Sequence, residues 1–222
     1  MNLMQKKLRT SPMLARVAPF VIFVGLTFCQ GQFGETSRYW FYLAKTIVGV
    51  CLIWSIWPLV EEMRWKFSWE AVVVGVAVFA LWVGLDGLYS KLGKAATPWN
   101  PHAQFGENAT LAWLFVATRM LGSSLVVPPL EEVFYRSFLY RWIVKLDFQS
   151  VPLSYFHWKP FLLTAVIFGV SHHEWLAGIL CAFAYQGLVC WKKRLGDAMT
   201  AHAITNFLLG GWVVWKGAWH FW

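Results

Sequence analysis

Residues 108–145, NATLAWLFVATRMLGSSLVVPPLEEVFYRSFLYRWIVK, decide the fold. Their first part, 108 to 129, is an apolar run long enough for a helix across a hydrocarbon core of about 30 Å, which takes roughly 20 residues. After Pro128 and Pro129 the chain stays apolar but carries Glu131, Glu132 and Arg136. Two prolines are well placed to end one helix and open the next, so 130 to 145 reads as a separate, shorter, charged element. Further apolar runs lie outward on both sides, near 17 to 33, 39 to 58 and 71 to 89 before it, and near 160 to 172, 175 to 191 and 198 to 216 after it. The expectation is an all-α, polytopic membrane protein of about eight transmembrane or membrane-embedded helices.

Composition agrees. Hydrophobic residues make up 58% of the chain and charged residues 14%, with a mean hydropathy of +0.50, against roughly 45–50% apolar residues in a soluble domain. The four cysteines, Cys29, Cys51, Cys181 and Cys190, are scattered through apolar stretches without a C-x-x-C pair, which excludes a secreted disulfide scaffold. A net charge of +8 would raise nucleic acid for a soluble chain, but there is no basic domain to bind it. The excess reads as topology and contact with anionic headgroups. Many of the tryptophans, among them Trp54, Trp69, Trp191 and Trp215, sit at run ends, where an amphipathic ring suits the membrane interface.

Lys6, Lys7, Arg9 and Arg16 precede the first run as in a signal peptide, yet no small-residue cleavage site follows before Gln30 and Gln32, so a retained span is expected. Basic residues place the N-terminus, the Arg64/Lys66 loop and the Lys192-Lys193-Arg194 cluster on the cytoplasmic side, the cell membrane being the expected location. Seven crossings between residue 16 and residue 192 would put that cluster outside, so one element must fail to cross, and 130 to 145 is the candidate. Residues 1–104 read as motif-free transmembrane helices and 105–222 as a helical core that carries the chemistry. The segments 90 to 107 and 147 to 159 read as loops.

An ionisable side chain inside a bilayer costs about 2.5–3.5 kcal/mol on insertion scales, which makes each one a functional candidate. Glu132 and Arg136 are spaced i,i+4 and can pair, while Glu131 points about 100° away and is left without that cation. Phe168 and His172 share a helical face, as do His202 and Asn206. Glu131 as a base, Arg136 acting through Glu132, the imidazoles of His172 and His202 and the amide of Asn206 form an inventory for activating water and stabilising an oxyanion. No H-E-x-x-H is present, His173 and Glu174 are at most alternative ligands, and Ser123, Ser124, Ser137 and Ser171 carry no spacing that pairs a nucleophile with a base.

Glu131-Glu132-x-x-x-Arg136, Phe168-x-x-x-His172 and His202-x-x-x-Asn206, in this order, resemble the CPBP intramembrane protease family, also called Abi or CAAX-protease-like, which includes Rce1-type prenyl endopeptidases. The resemblance covers about residues 105 to 216. It implies polar residues converging on a cavity within the membrane, with Glu131 activating water, His172 helping to hold it, His202 and Asn206 binding the oxyanion, and Glu132 with Arg136 bracing the site. It also implies a membrane-associated or lipidated peptide or protein as substrate and no nucleic acid. Either no cofactor is used, or a Zn²⁺ is held by Glu131, His172 and His202, all three of suitable donor type. The same residues leave open a proton-coupled carrier, a non-proteolytic scaffold or immunity protein, and a bis-histidine haem site on His172 and His202.

Overall fold

The computed structural model describes residues 8–93 and 97–222; Lys6 and Lys7 of the basic start lie outside the described residues. Among the described residues there is no strand. The helices are α1 (Pro12–Thr27), α2 (Ser37–Ile56), α3 (Trp69–Gly84), a short α4 (Pro101–Phe105), α5 (Thr110–Val144), α6 (Trp158–Val170), α7 (Trp175–Lys192) and α8 (Gly196–Lys216). Helix starts follow local chemistry. The Ser11 hydroxyl accepts from the Leu14 amide at 3.2 Å with Pro12 in the first turn, and the Ser68 hydroxyl accepts from Ala71 at 3.3 Å. The Ser11 cap also explains why α1 begins about five residues before the apolar run read from hydropathy. Asn100 caps α4 through its side-chain oxygen, an element inside the segment expected to be a loop.

The expected break at Pro128-Pro129 is absent. Helix α5 runs through both prolines for 35 residues, about 50 Å at 1.5 Å per residue. Two π-helical turns, Gly122–Val126 and Val133–Leu139, flank them. A proline clashes with the carbonyl four residues earlier and lacks an N–H. The wider π register lets the Val127 amide reach Gly122 O, so the helix absorbs the prolines instead of stopping. Joining the two segments leaves six apolar helices among the described residues between residue 12 and the basic cluster at 192 to 194, where the hydropathy reading has seven runs.

Among the described residues three helices are long and apolar enough to cross a membrane, α2, α5 and α7, and α1, α3 and α6 are shorter apolar helices. Outward-facing side chains on these helices include Val21, Ile47, Val50, Leu162 and Val166, all exposed. Such surface is costly in water and natural in lipid. All four cysteines are free.

The chain divides into two compact units, each drawing on both halves of the sequence. One comprises the described parts of Met1–Val60, Ala96–Leu130 and Asn206–Trp222. Its core is the aromatic cluster of Tyr39, Tyr42, Trp99 and Phe115, over which Arg119 lies 4.9 Å from the Tyr42 ring and 4.7 Å from the Trp99 ring. Lys45, buried on α2, donates to the Thr27 hydroxyl at 3.1 Å and stacks over the Phe23 and Tyr42 rings.

The other unit, Glu61–Ala95 and Glu131–Thr205, holds α3, α6 and α7 with the second part of α5 and the first part of α8. Helix α3 approaches α8 closely at Gly75. A Cβ there would lie 2.7 Å from Ala201 O, and the Thr205 hydroxyl donates to Gly75 O at 2.9 Å. Asp197, fully buried at the start of α8, accepts from Ser68 at 2.5 Å and pairs with Arg194. Asp86 follows α3 and pairs with Lys91 at 3.2 Å.

Candidate active site

Helix α5 enters the second unit at Glu131, immediately before its π turn, and presents Glu131, Glu132, Tyr135 and Arg136. Glu132 and Arg136 are sealed from solvent, at 0% and 1% exposure, and Glu132 Oε2 lies 3.1 Å from Arg136 Nε. This is an ion pair rather than a well-aligned hydrogen bond, because none of the three guanidinium nitrogens has a hydrogen-bonded partner. The guanidinium is instead walled by aromatic faces, 4.4 Å from Phe168, 5.6 Å from Tyr135 and 5.8 Å from Tyr185.

Helix α8 brings His202 to the same place. Its Nδ1 donates to Glu132 Oε1 at 2.9 Å, so Glu132 bridges an imidazole and a guanidinium with its two oxygens. A ring whose Nδ1–H is held by a carboxylate carries its lone pair on Nε2 when neutral. That Nε2 lies 4.0 Å from Glu131 Oε2, a buried oxygen that makes no hydrogen bond. The Tyr185 ring stacks on His202 with centroids 5.1 Å apart, and the Tyr185 hydroxyl is occupied by Thr205 at 2.8 Å. Glu131 and Glu132 therefore meet opposite nitrogens of one imidazole, an arrangement that the spacing along α5 alone did not contain.

His172 differs from its expected setting. Helix α6 ends at Val170, so His172 stands in the following turn rather than on a helical face. The Ser171 hydroxyl donates to Phe168 O at 2.7 Å and His172 Nδ1 donates to the same oxygen at 2.8 Å, which satisfies a carbonyl at the helix end. The ring still packs on Phe168, centroids 4.6 Å apart, with the edge of Trp82 at 5.8 Å. Phe168 also contacts Tyr135 and His202, so this one ring is a wall shared by His172, His202 and Arg136. The Tyr135 hydroxyl reaches Ser171 at 3.3 Å.

Asn206 is one turn beyond His202 on α8 and belongs to the first unit, where its amide donates to Ser123 O at 2.8 Å. The π turn explains why that carbonyl is available. Val127 N–H bonds Gly122 O, and the next residue along, Pro128, has no N–H to offer Ser123.

Both imidazoles have Nδ1 held by an oxygen, which is also how metal-ligating histidines are oriented. Among the described residues, however, no three His, Cys, Asp or Glu side chains are gathered closely enough to hold a metal ion, so Glu131, His172 and His202 do not form a ligand set as they stand. Sequence reasoning did not single out Tyr135, Tyr185 or Thr205, because an aromatic or hydroxyl residue in an apolar run carries no signal of what it will pack against. Nor did it single out a second buried cluster beside the site, in which Glu62 accepts from Arg141 at 3.0 Å and from Ser137, one residue after Arg136.

No curated protein and no solved structure gives a significant match to the chain. Residues 112–208 match the family model described as type II CAAX prenyl endopeptidase Rce1-like, so this stretch is similar to that family, the one its three motifs resemble.

Proposed function

We propose that the protein is an intramembrane endopeptidase in which Glu131 activates water beside His202. The observation that supports this reading is the 4.0 Å separation of Glu131 Oε2 and His202 Nε2, with the carboxylate oxygen buried and without a hydrogen bond. That distance is too long for a direct bond and short enough for one water to bridge the carboxylate and the imidazole Nε2. Glu131 takes one proton from that water as its oxygen attacks the peptide carbonyl carbon. The same proton then passes to the leaving nitrogen, the C–N bond breaks, and the carboxylate is restored.

The other residues follow from charge. Carrying a proton on each ring nitrogen, His202 keeps its Nδ1–H on Glu132 and turns Nε2–H first to the water and then to the oxyanion; once Glu131 holds the water's proton, Glu132 and the oxyanion balance the charges of His202 and Arg136. Arg136 prevents Glu132 from withdrawing, and His172 holds the water from the side of Phe168. For Asn206 the role carried by the resemblance is a second oxyanion donor. No step is routed through a metal. The substrate class is a membrane-associated or lipidated protein, or a leader peptide, cut near its end. The setting is a multi-pass protein of the cell membrane with a cytoplasmic N-terminus.

The test is co-expression of a library of membrane-tethered leader and C-terminal peptides with wild type and with Glu131→Gln, with and without a strong chelator. A product made by wild type alone, and unchanged by chelator, is expected. A product lost with chelator would replace metal-free activation, and no product at all would favour a scaffold or carrier.

A further inference from the structure

The second unit contains a groove of about 420 Å³ that neither Glu131 nor His202 lines. It is built from the segment before α3, the end of α7 and the start of α8, with Arg141 of α5 at its base. Five cations line it: Arg64, Lys66, Arg141, Lys193 and Arg194. Two carboxylates, Glu61 and Glu62, oppose them. Part of this charge is neutralised internally. Arg141, buried, pairs with Glu62 at 3.0 Å, and Arg194 pairs with the buried Asp197.

Lys66 and Lys193 are different. Both side chains are exposed, and neither enters a salt bridge among the described residues. Lys193 is held in place by its backbone, which ends α7 in the left-handed conformation at φ 58°, with its amide bonded to Val189 O at 2.8 Å. Gly196 closes the floor, since a Cβ there would strike the Arg64 carbonyl and lie 2.7 Å from the Lys66 amide.

The surroundings indicate what kind of anion fits. In Arg64-Trp65-Lys66-Phe67 the cations alternate with exposed aromatic rings, and exposed Trp191 directly precedes the run Lys192-Lys193-Arg194. Phe67 is 79% exposed and Trp191 64% exposed. Exposed Trp and Phe beside lysines at the ends of apolar helices belong at the headgroup level of a bilayer. A compact oxyanion with several acceptor oxygens is what arginine and lysine recognise there.

We propose that this groove binds a phosphate group, namely the phosphodiester of an anionic phospholipid headgroup, with Lys66 and Lys193 as its direct contacts. The site is separate from the Glu131–His202 pair and stands whether or not the protein is a peptidase.

The experiment uses the detergent-purified full chain and the double variant Lys66→Gln/Lys193→Gln, whose changes are exposed and break no ion pair. Thermal unfolding and native mass spectrometry are read with added phosphatidylglycerol, phosphatidylcholine or inorganic phosphate. Phosphatidylglycerol should raise the unfolding temperature and remain bound, phosphatidylcholine should not, and the double variant should weaken phosphatidylglycerol binding on the order of tenfold or more. Equal response to the two lipids, or an undiminished response in the double variant, overturns the proposal. A shift with inorganic phosphate alone, lost in the variant, overturns the lipid assignment in favour of a soluble phosphate compound.

Discussion

The Nδ1–H of His202 is held 2.9 Å from Glu132 Oε1, while the other oxygen of Glu132 lies 3.1 Å from Arg136. One carboxylate thus fixes both the orientation of an imidazole seventy residues away in sequence and the position of a guanidinium one turn away. The consequence is directional. The ring's free face, Nε2, is turned to Glu131, the carboxylate that makes no hydrogen bond through its buried Oε2.

Glu132→Gln separates bracing from chemistry. Glutamine can still accept from His202 through its carbonyl oxygen but cannot balance Arg136, which has no hydrogen-bonded partner to compensate. Leaving one member of a fully buried pair uncompensated costs about 3–5 kcal/mol. The variant should unfold at a markedly lower temperature than wild type in the same detergent. A thermal midpoint within a degree of wild type would show that Arg136 does not depend on Glu132.

Asn206→Ala distinguishes a structural amide from an oxyanion donor. Its loss leaves Ser123 O without a donor, for about 1 kcal/mol of stability. Loss of an oxyanion donor would lower kcat by about 10²- to 10³-fold. Both effects together are expected; a stability loss with unchanged kcat would confine Asn206 to supporting the π turn.

Much of the architecture can be read from hydropathy, because an apolar run of helical length has few other stable forms in lipid. The start of α7 at Trp175 and the i,i+4 approach of Glu132 to Arg136 follow from length and spacing alone. What could not be read depends on register and long-range contact. Pro128 and Pro129 signal a break in any α-helical reading, and only the π turn, with Asn206 donating to the stranded Ser123 carbonyl, shows how the helix passes through them. The spacing of His172 from Phe168 suits a helix, but Ser171 and His172 both bond Phe168 O and end the helix two residues sooner. The pairing of His202 with two glutamates of another helix has no local trace at all.

Gly75→Ala tests the close approach of α3 and α8. The added Cβ would meet Ala201 O at 2.7 Å and Ile204 Cβ at 2.9 Å, both poorly able to move. Overpacking of this kind costs about 1–3 kcal/mol. Because Ala201 adjoins His202, activity should fall along with thermal stability, and a variant as stable as wild type would show that the two helices can separate freely.

The most direct measurement is the initial rate of cleavage of one identified peptide by wild type and by Glu131→Gln, with matched thermal unfolding curves to establish that both are folded. Glutamine preserves shape but cannot take a proton, so the rate should fall by at least about 10²- to 10⁴-fold, the range for a general base, with the unfolding midpoint unchanged. A folded Glu131→Gln protein that cleaves within a few-fold of wild type would contradict water activation by Glu131.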